Sequence, residues 1–230
     1  MVMLDRIAEG RTDLVFEWLE QGSSCNAETH GAGLLQWCAY YGDVSGIRRL
    51  LAAGASLDVL GENLGLSAAA FHGHWGLCEF LLERGADPNF ADAANDEVPL
   101  HAALCSHQSL RHEQVVRVLL AAGADPNRAT RDGAETDGFM RDVRTRGETP
   151  LHRAASYGTR GAIELLLGAG ARLEVQDAAG DTPLTWASWA LRETVVLGLL
   201  CFGSHRVNPE HLTMEAYLIG RPLDRPPAQE

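Results

Sequence analysis

The groups in this 230-residue chain that could do chemistry are nine histidines, five cysteines and nineteen basic residues, every one of them arginine. With no lysine, the chain has no Schiff-base amine and no phosphate-loop lysine. It also lacks G-x-G-x-x-G after a strand, G-x-x-x-x-G-K-[ST], H-E-x-x-H and G-x-S-x-G. Cys105, His107 and His112 could in principle bind zinc, but a structural site wants four ligands and the sequence offers no fourth nearby. The cysteines stand at 25, 38, 78, 105 and 201, an odd number with no C-x-x-C, and are expected as reduced thiols, with Cys38 and Cys78 as packing groups. His30, His72, His107, His112, His205 and His211 have no nucleophile and acid at a useful spacing. No catalytic residue, cofactor or metal is expected, and the chain is read as a non-enzyme.

Hydrophobic residues make up 46% and charged residues 22%, the composition of a folded globular protein. The net charge of −12 disfavours nucleic acid, whose binding depends on neutralising phosphates. Residues 1–97 carry 15 acids and 5 bases, whereas residues 98–230 carry 16 acids and 14 bases, so a basic partner surface is expected against the first half. No run approaches the roughly 20 apolar residues that cross a bilayer, and the first residues lack a signal-peptide pattern. The expectation is therefore a cytoplasmic protein with no membrane partner. An arginine-only, Ala/Gly-rich composition also hints at a GC-rich bacterial gene.

The elements that position these groups repeat. Leu-Leu-x-x-Gly recurs at Leu50-Leu51…Gly54, Leu81-Leu82…Gly85, Leu119-Leu120…Gly123, Leu166-Leu167…Gly170 and Leu199-Leu200…Gly203, after a Trp18-Leu19…Gly22 version. These leucines are expected in the core. A second block keeps register with the first: Val98-Pro99-Leu100-His101, Thr149-Pro150-Leu151-His152 and Thr182-Pro183-Leu184-Thr185. Thr149 and Thr182 suit a helix N-cap, and the prolines suit the first helical position, where a missing N–H costs nothing. The pattern predicts a short helix over 151–156, stopped by Gly158, which like Gly42 and Gly73 is expected in the left-handed conformation. A second helix follows with Ala162, Ile163, Leu166 and Leu167 on one face, capped by Gly170. Neither helix is long enough to stand alone in water, so stacking of neighbouring units must supply the burial.

With Thr-Pro-Leu-His opening the first helix and Gly85-Ala86-Asp87-Pro88-Asn89 and Gly123-Ala124-Asp125-Pro126-Asn127 following the second, the chain resembles the ankyrin repeat. The resemblance implies an all-α repeat solenoid of about six stacked units, with finger loops beside a concave groove. The units fall at about 1–30, 31–61, 62–94, 95–146, 147–179 and 180–205. A C-terminal capping helix is expected over 206–220 and a loose tail over 221–230. By resemblance, His101, His152 and His74 brace their units through hydrogen bonds to neighbouring loops.

The same resemblance places Trp37, Tyr40, Tyr41, Phe71, His72, Tyr157, Trp186 and Trp189 toward the groove or its floor, with Trp75 just beyond a helix end. Seven of the chain's fifteen aromatics fall on the fifteen groove positions, far above even scatter. Tyr and Trp dominate binding hot spots, and Trp37, Tyr41 and Trp186 are expected to bind, whereas Phe71 and Trp189 fit a core role equally well. The finger between Gly123 and Thr149 is about 14 residues longer than its counterpart between Gly170 and Thr182. Phe139, Met140, Arg141 and Arg144 on it form either a recognition tip or part of a solvated flap. The expected function is a protein–protein scaffold, regulatory or neutralising in the manner of an immunity protein. The alternative is a small-ligand or metal-responsive regulator near His72, His74 and the Cys105–His112 loop.

Overall fold

A computed structural model describes residues 2–105, 110–136 and 144–202. The helices are α1 (Met3–Ala8), α2 (Leu14–Glu20), α3 (Leu34–Tyr41), α4 (Val44–Ala52), α5 (Leu66–Phe71), α6 (Trp75–Glu83), α7 (Pro99–Ala102), α8 (Leu110–Ala121), α9 (Pro150–Tyr157), α10 (Arg160–Gly168), α11 (Pro183–Trp189) and α12 (Thr194–Leu200). They pack as successive hairpins, α1 with α2 through α11 with α12. Odd-numbered helices form one row and even-numbered helices a second, with α5 packed on α7 and α9 on α11 in the first and α6 on α8 and α8 on α10 in the second. The architecture is the helical solenoid that the resemblance implies. It is not wholly α: two short antiparallel hairpins project from it, β1 (Glu28–Thr29) with β2 (Ala32–Gly33), and β3 (Asp132–Glu135) with β4 (Arg144–Arg146). The β3–β4 pair builds the base of the long finger. The segment expected as a capping helix, 206–220, and the tail beyond it lie outside the described residues.

Local chemistry explains the helix starts. Thr182 Oγ1 accepts the Thr185 N–H, and Pro150 and Pro183 open α9 and α11. In α7 and α9 the histidine does the capping: His101 Nδ1 accepts the Val98 N–H at 3.2 Å and His152 Nδ1 the Thr149 N–H at 3.1 Å. That fixes the proton on Nε2, which donates to the Glu148 carbonyl from His101 and to the Asp181 carbonyl from His152. The chain enters α5 differently, through left-handed Asn63, Leu64 and Gly65 in place of a Thr-Pro box.

The core lies between the two rows. Leu50, Leu81, Leu119 and Leu166 are buried, whereas Leu51, Leu82, Leu120 and Leu167 are half-buried at its edge. In α12 the pair slips by one residue, so Leu200 is buried and Leu199 is half-buried. The N-cap explains the slip: Glu193 precedes Leu200 by the interval that separates Thr159 from Leu166. Gly42, Gly73 and Gly170 adopt positive φ as expected, but Gly158 does not. It is extended (φ −67°, ψ 159°), because Arg192 takes over the cap of α9 and donates to the carbonyls of Ala155 (3.0 Å) and Gly158 (2.6 Å). Gly158 is still required, since a Cβ there would lie 2.6 Å from the Ala154 carbonyl oxygen.

The finger bases are tied together by asparagines. Asn63, Asn89 and Asn127 each donate Nδ2 to a carbonyl of the following finger base (Asp87, Gly123 and Gly170) and accept an N–H from it at Oδ1 (Asp87, Asp125 and Arg172). Replacing Asn127 by alanine removes two such bonds and is expected to cost about 1–2 kcal/mol in chemical denaturation. Asn127→Asp, which keeps only the acceptor, should fall between the alanine variant and the parent. An unchanged midpoint in Asn127→Ala would show that the ladder contributes nothing.

Candidate functional site

Three of the aromatic side chains proposed for the groove gather with a histidine on α3 and α5. Tyr40 meets Tyr41 edge to face at 5.0 Å, Trp37 at 6.1 Å and His72 at 5.3 Å between ring centroids. Trp37 and Tyr41 are the fixed members: Trp37 Nε1 donates to the Thr29 carbonyl and the Tyr41 hydroxyl to the Ala8 carbonyl. Tyr40 is the open one, 54% exposed, and Trp75 at the start of α6 is 48% exposed. His74 supports the cluster from behind, its Nε2 donating to the Tyr40 carbonyl at 2.9 Å, and His112 does the same for the Phe71 carbonyl at 3.0 Å. Burial and the neighbouring His74 and His112 hold the His72 imidazole below its ordinary range, so it is neutral at pH 7. Between α3 and α5 lies a depression of about 200 Å³, floored by Leu77 and Leu81 and rimmed by Tyr40, His72, Leu60 and Leu64.

The remaining aromatics are elsewhere. Trp186, expected to contact a partner, is only 7% exposed in this structure: its Nε1 donates to Asp177 Oδ2 at 3.0 Å, and it packs with Cys105 and Phe71. The guanidinium of Arg146 stands 5.9 Å from the Trp186 ring and 5.5 Å from Trp189, which is half-buried. Tyr157 is exposed apart from the α3–α5 cluster, with its phenol pushed up by partial burial. On the long finger, Arg144 donates to the Gly133 carbonyl inside the hairpin, and Phe139, Met140 and Arg141 lie outside the described residues.

Sequence reasoning missed a buried ladder of charge that sets the finger bases on the odd-numbered row. Arg153 has no exposed side-chain surface. Its guanidinium holds Glu97 (2.8 Å) and Glu148 (2.6 Å), and it donates to the His101 carbonyl at 3.3 Å. Burial pushes the Glu148 carboxyl up, but Arg153, the Arg146 N–H and Thr130 outweigh it and hold it at about 2. Burial and Arg153 both push the His101 imidazole down, keeping it neutral. The next rung is Arg146 on Asp181 (3.1 Å) and Asp177 (3.5 Å). A signal for this ladder was present: Glu97, Glu148 and Asp181 each stand one residue before the Val-Pro or Thr-Pro box.

Burial pushes the Cys38, Cys78 and Cys105 thiols up to about 12, so they are protonated packing groups, with Cys105 donating to the Ala102 carbonyl. Among the described residues, no cluster of three or more His, Cys, Asp or Glu side chains is placed to hold a metal, and no helix is long and apolar enough to cross a membrane. His107 lies outside the described residues.

The comparisons with known proteins agree with this architecture. A family profile described as "Ankyrin repeats (3 copies)" matches residues 35–130 and 133–210. The human "Ankyrin repeat and SOCS box protein 16" is 32% identical over 237 residues, covering 89% of this chain and 52% of that protein. The human "Palmitoyltransferase ZDHHC13" is 27% identical over 180 residues, 70% of this chain and 29% of that protein. The Arabidopsis thaliana "E3 ubiquitin-protein ligase KEG" is 32% identical over 105 residues, 46% of this chain and 5% of that protein. The chain thus spans about half the length of the first of these relatives and far less of the others. These three relatives are eukaryotic, so they lend nothing to the bacterial origin suggested by composition. The ankyrin repeats that the profile matches are modules of protein–protein interaction. Solenoid, finger ladder, profile and relatives agree: the chain belongs to the ankyrin repeat family.

Proposed function

We propose that this chain is a non-enzymatic scaffold that holds a partner protein against the α3–α5 face and the adjoining fingers, and so regulates or neutralises it. In this reading the twelve helices are six repeats, at about 1–30, 31–61, 62–94, 95–146, 147–179 and 180–205, with the helix at 206–220 closing the open end. A cytoplasmic setting fits five cysteines that are all free thiols. The observation that carries the reading is the aromatic cluster, in which Trp37 and Tyr41 are fixed by hydrogen bonds and present Tyr40 to solvent beside His72. Pre-ordered aromatics of this kind lose little entropy on binding.

The test is affinity capture with cross-linking mass spectrometry, using the wild-type chain and a Tyr40→Ala, His72→Ala, Trp75→Ala variant side by side. Proteins cross-linked to α3 or α5 of the wild type should be lost from the variant. Each single change should weaken binding to a recovered partner by about 1–2 kcal/mol. The unfolding midpoint should move little, because these side chains are exposed. Equal recovery by both chains would remove this face from the function.

A further inference from the structure

We propose that the depression between α3 and α5 receives one apolar side chain of a partner segment whose flanking residues are lysine or arginine. This rests on the α3–α5 face being the partner surface and names what that face selects.

The apolar half of the proposal comes from the depression itself. Its volume of about 200 Å³ and its lining of Leu60, Leu64, Ala68, Leu77 and Leu81 suit a leucine, methionine or phenylalanine side chain. A cavity of about 150 Å³ lined by such residues accepts a benzene ring. Ala68 is exposed at its mouth.

The charged half comes from where the arginines are not. No base occurs between Arg11 and Arg48, between Arg49 and Arg84, or between Arg84 and Arg111. Arg48 and Arg49 lie on α4 in the even-numbered row, and Arg84 ends α6 in that row. Arg48 and Arg84 are both stacked on Phe80, 4.8 Å from its ring centroid. The finger segments beside the depression therefore carry acids and no arginine. Asp58 and Glu62 bracket Leu60, and Asp87 is tied to Asn63 by a pair of hydrogen bonds. Glu28 stands on the preceding finger and Asp92 on the following one. Among the described residues none of these five carboxylates pairs with an arginine. The one histidine at the rim, His72, is held neutral at pH 7 and offsets none of this charge. An apolar socket under a one-signed rim favours a partner with an apolar anchor between cations, and like charge on a competitor is repelled.

The test pans phage-displayed random dodecapeptides against the full chain and against two variants. Ala68→Trp fills the depression from an exposed position. Asp58→Lys with Glu62→Lys reverses the rim at two exposed sites. Circular dichroism establishes that both variants keep their helices. The expected result is peptides enriched in lysine and arginine on both sides of one leucine, methionine or phenylalanine. Their affinity should fall by about tenfold or more on each variant, and on the parent chain as salt rises from about 50 to about 500 mM. Recovery of neutral or acidic peptides, of peptides that bind Ala68→Trp as tightly as the parent, or of no peptide would overturn the assignment. If capture of a whole partner still depends on Tyr40 and Trp75 in that case, the face stands and only its selectivity is refuted; if that dependence fails as well, both readings fall.

Discussion

Replacing Arg153 by alanine is expected to cost the fold about 3–5 kcal/mol, because buried Glu148 and partly buried Glu97 are left without their counter-charge. For a chain of this size that lowers the unfolding midpoint by roughly 6–20 °C. The double variant Arg153→Ala, Glu148→Gln should be less destabilised than the sum of the two single variants, since the second change removes the orphaned charge. Strict additivity of the two would show that the guanidinium and carboxylate are not coupled. The effect belongs to the finger bases as well as to the helix row, because Glu148 also accepts from Thr130 and the Arg146 N–H.

The same variant changes the pH dependence in a direction that can be worked out. In the parent, the Glu148 carboxyl titrates at about 2 in the folded state against an ordinary 4.5. Its contribution is therefore complete above pH 4.5 and is lost as pH falls toward 2. His101 and His152 are held below their ordinary 6.5, so their contribution shrinks as pH falls below that value. Without Arg153, burial is the dominant influence left on Glu148 and pushes its carboxyl up. The variant should then recover part of its deficit as pH is lowered from 7 toward 4.5. A deficit that stays constant across that range would mean the Glu148 carboxylate is not desolvated.

Phe80→Ala is expected to cost a similar 3–5 kcal/mol, the value for emptying a buried aromatic site. The ring is 2% exposed on α6. The guanidinium groups of Arg48 and Arg84 stand over it, and the variant forfeits those contacts too. Because each helix packs only on its neighbours in the stack, the loss should be local at first. Hydrogen exchange should accelerate in α4, α6 and α8 before it does in α10 and α12. Phe80→Leu, which fills most of the volume, should cost less than half as much. Uniform acceleration along the whole chain would show a single cooperative unit instead. The variant also serves as a contrast for the binding face, since it damages the stack from the row opposite Tyr40.

What the sequence settled by itself is what local chemistry dictates. The recurrence of Leu-Leu-x-x-Gly and Thr-Pro-Leu-His determined where helices start and stop. Capping, proline placement and a helical period act within a few residues and do not depend on what lies next door. Gly42 and Gly73 were legible for that reason; the bracing by His101 and His152 was expected only from the family resemblance, since their Nε2 atoms donate to carbonyls 47 and 29 residues away. Gly158 was not, because the group that caps α9 is Arg192, 34 residues further on. The floor position of the groove shows the limit most clearly. Trp37, Ala102, Arg153 and Trp186 occupy one place in the repeat, and from that place the sequence reading put Trp37 and Trp186 in the groove. Tertiary structure made Trp37 half-buried and covered Trp186 with Asp177, while it enclosed Arg153 between two carboxylates. The depression between α3 and α5 was equally invisible, since the residues that line it, from Gln36 to Leu81, come together only when α3, α5 and α6 pack. A repeat fixes each residue's address within its unit. Burial and charge at that address depend on the side chains the neighbouring unit brings against it, and only the stacked structure supplies those.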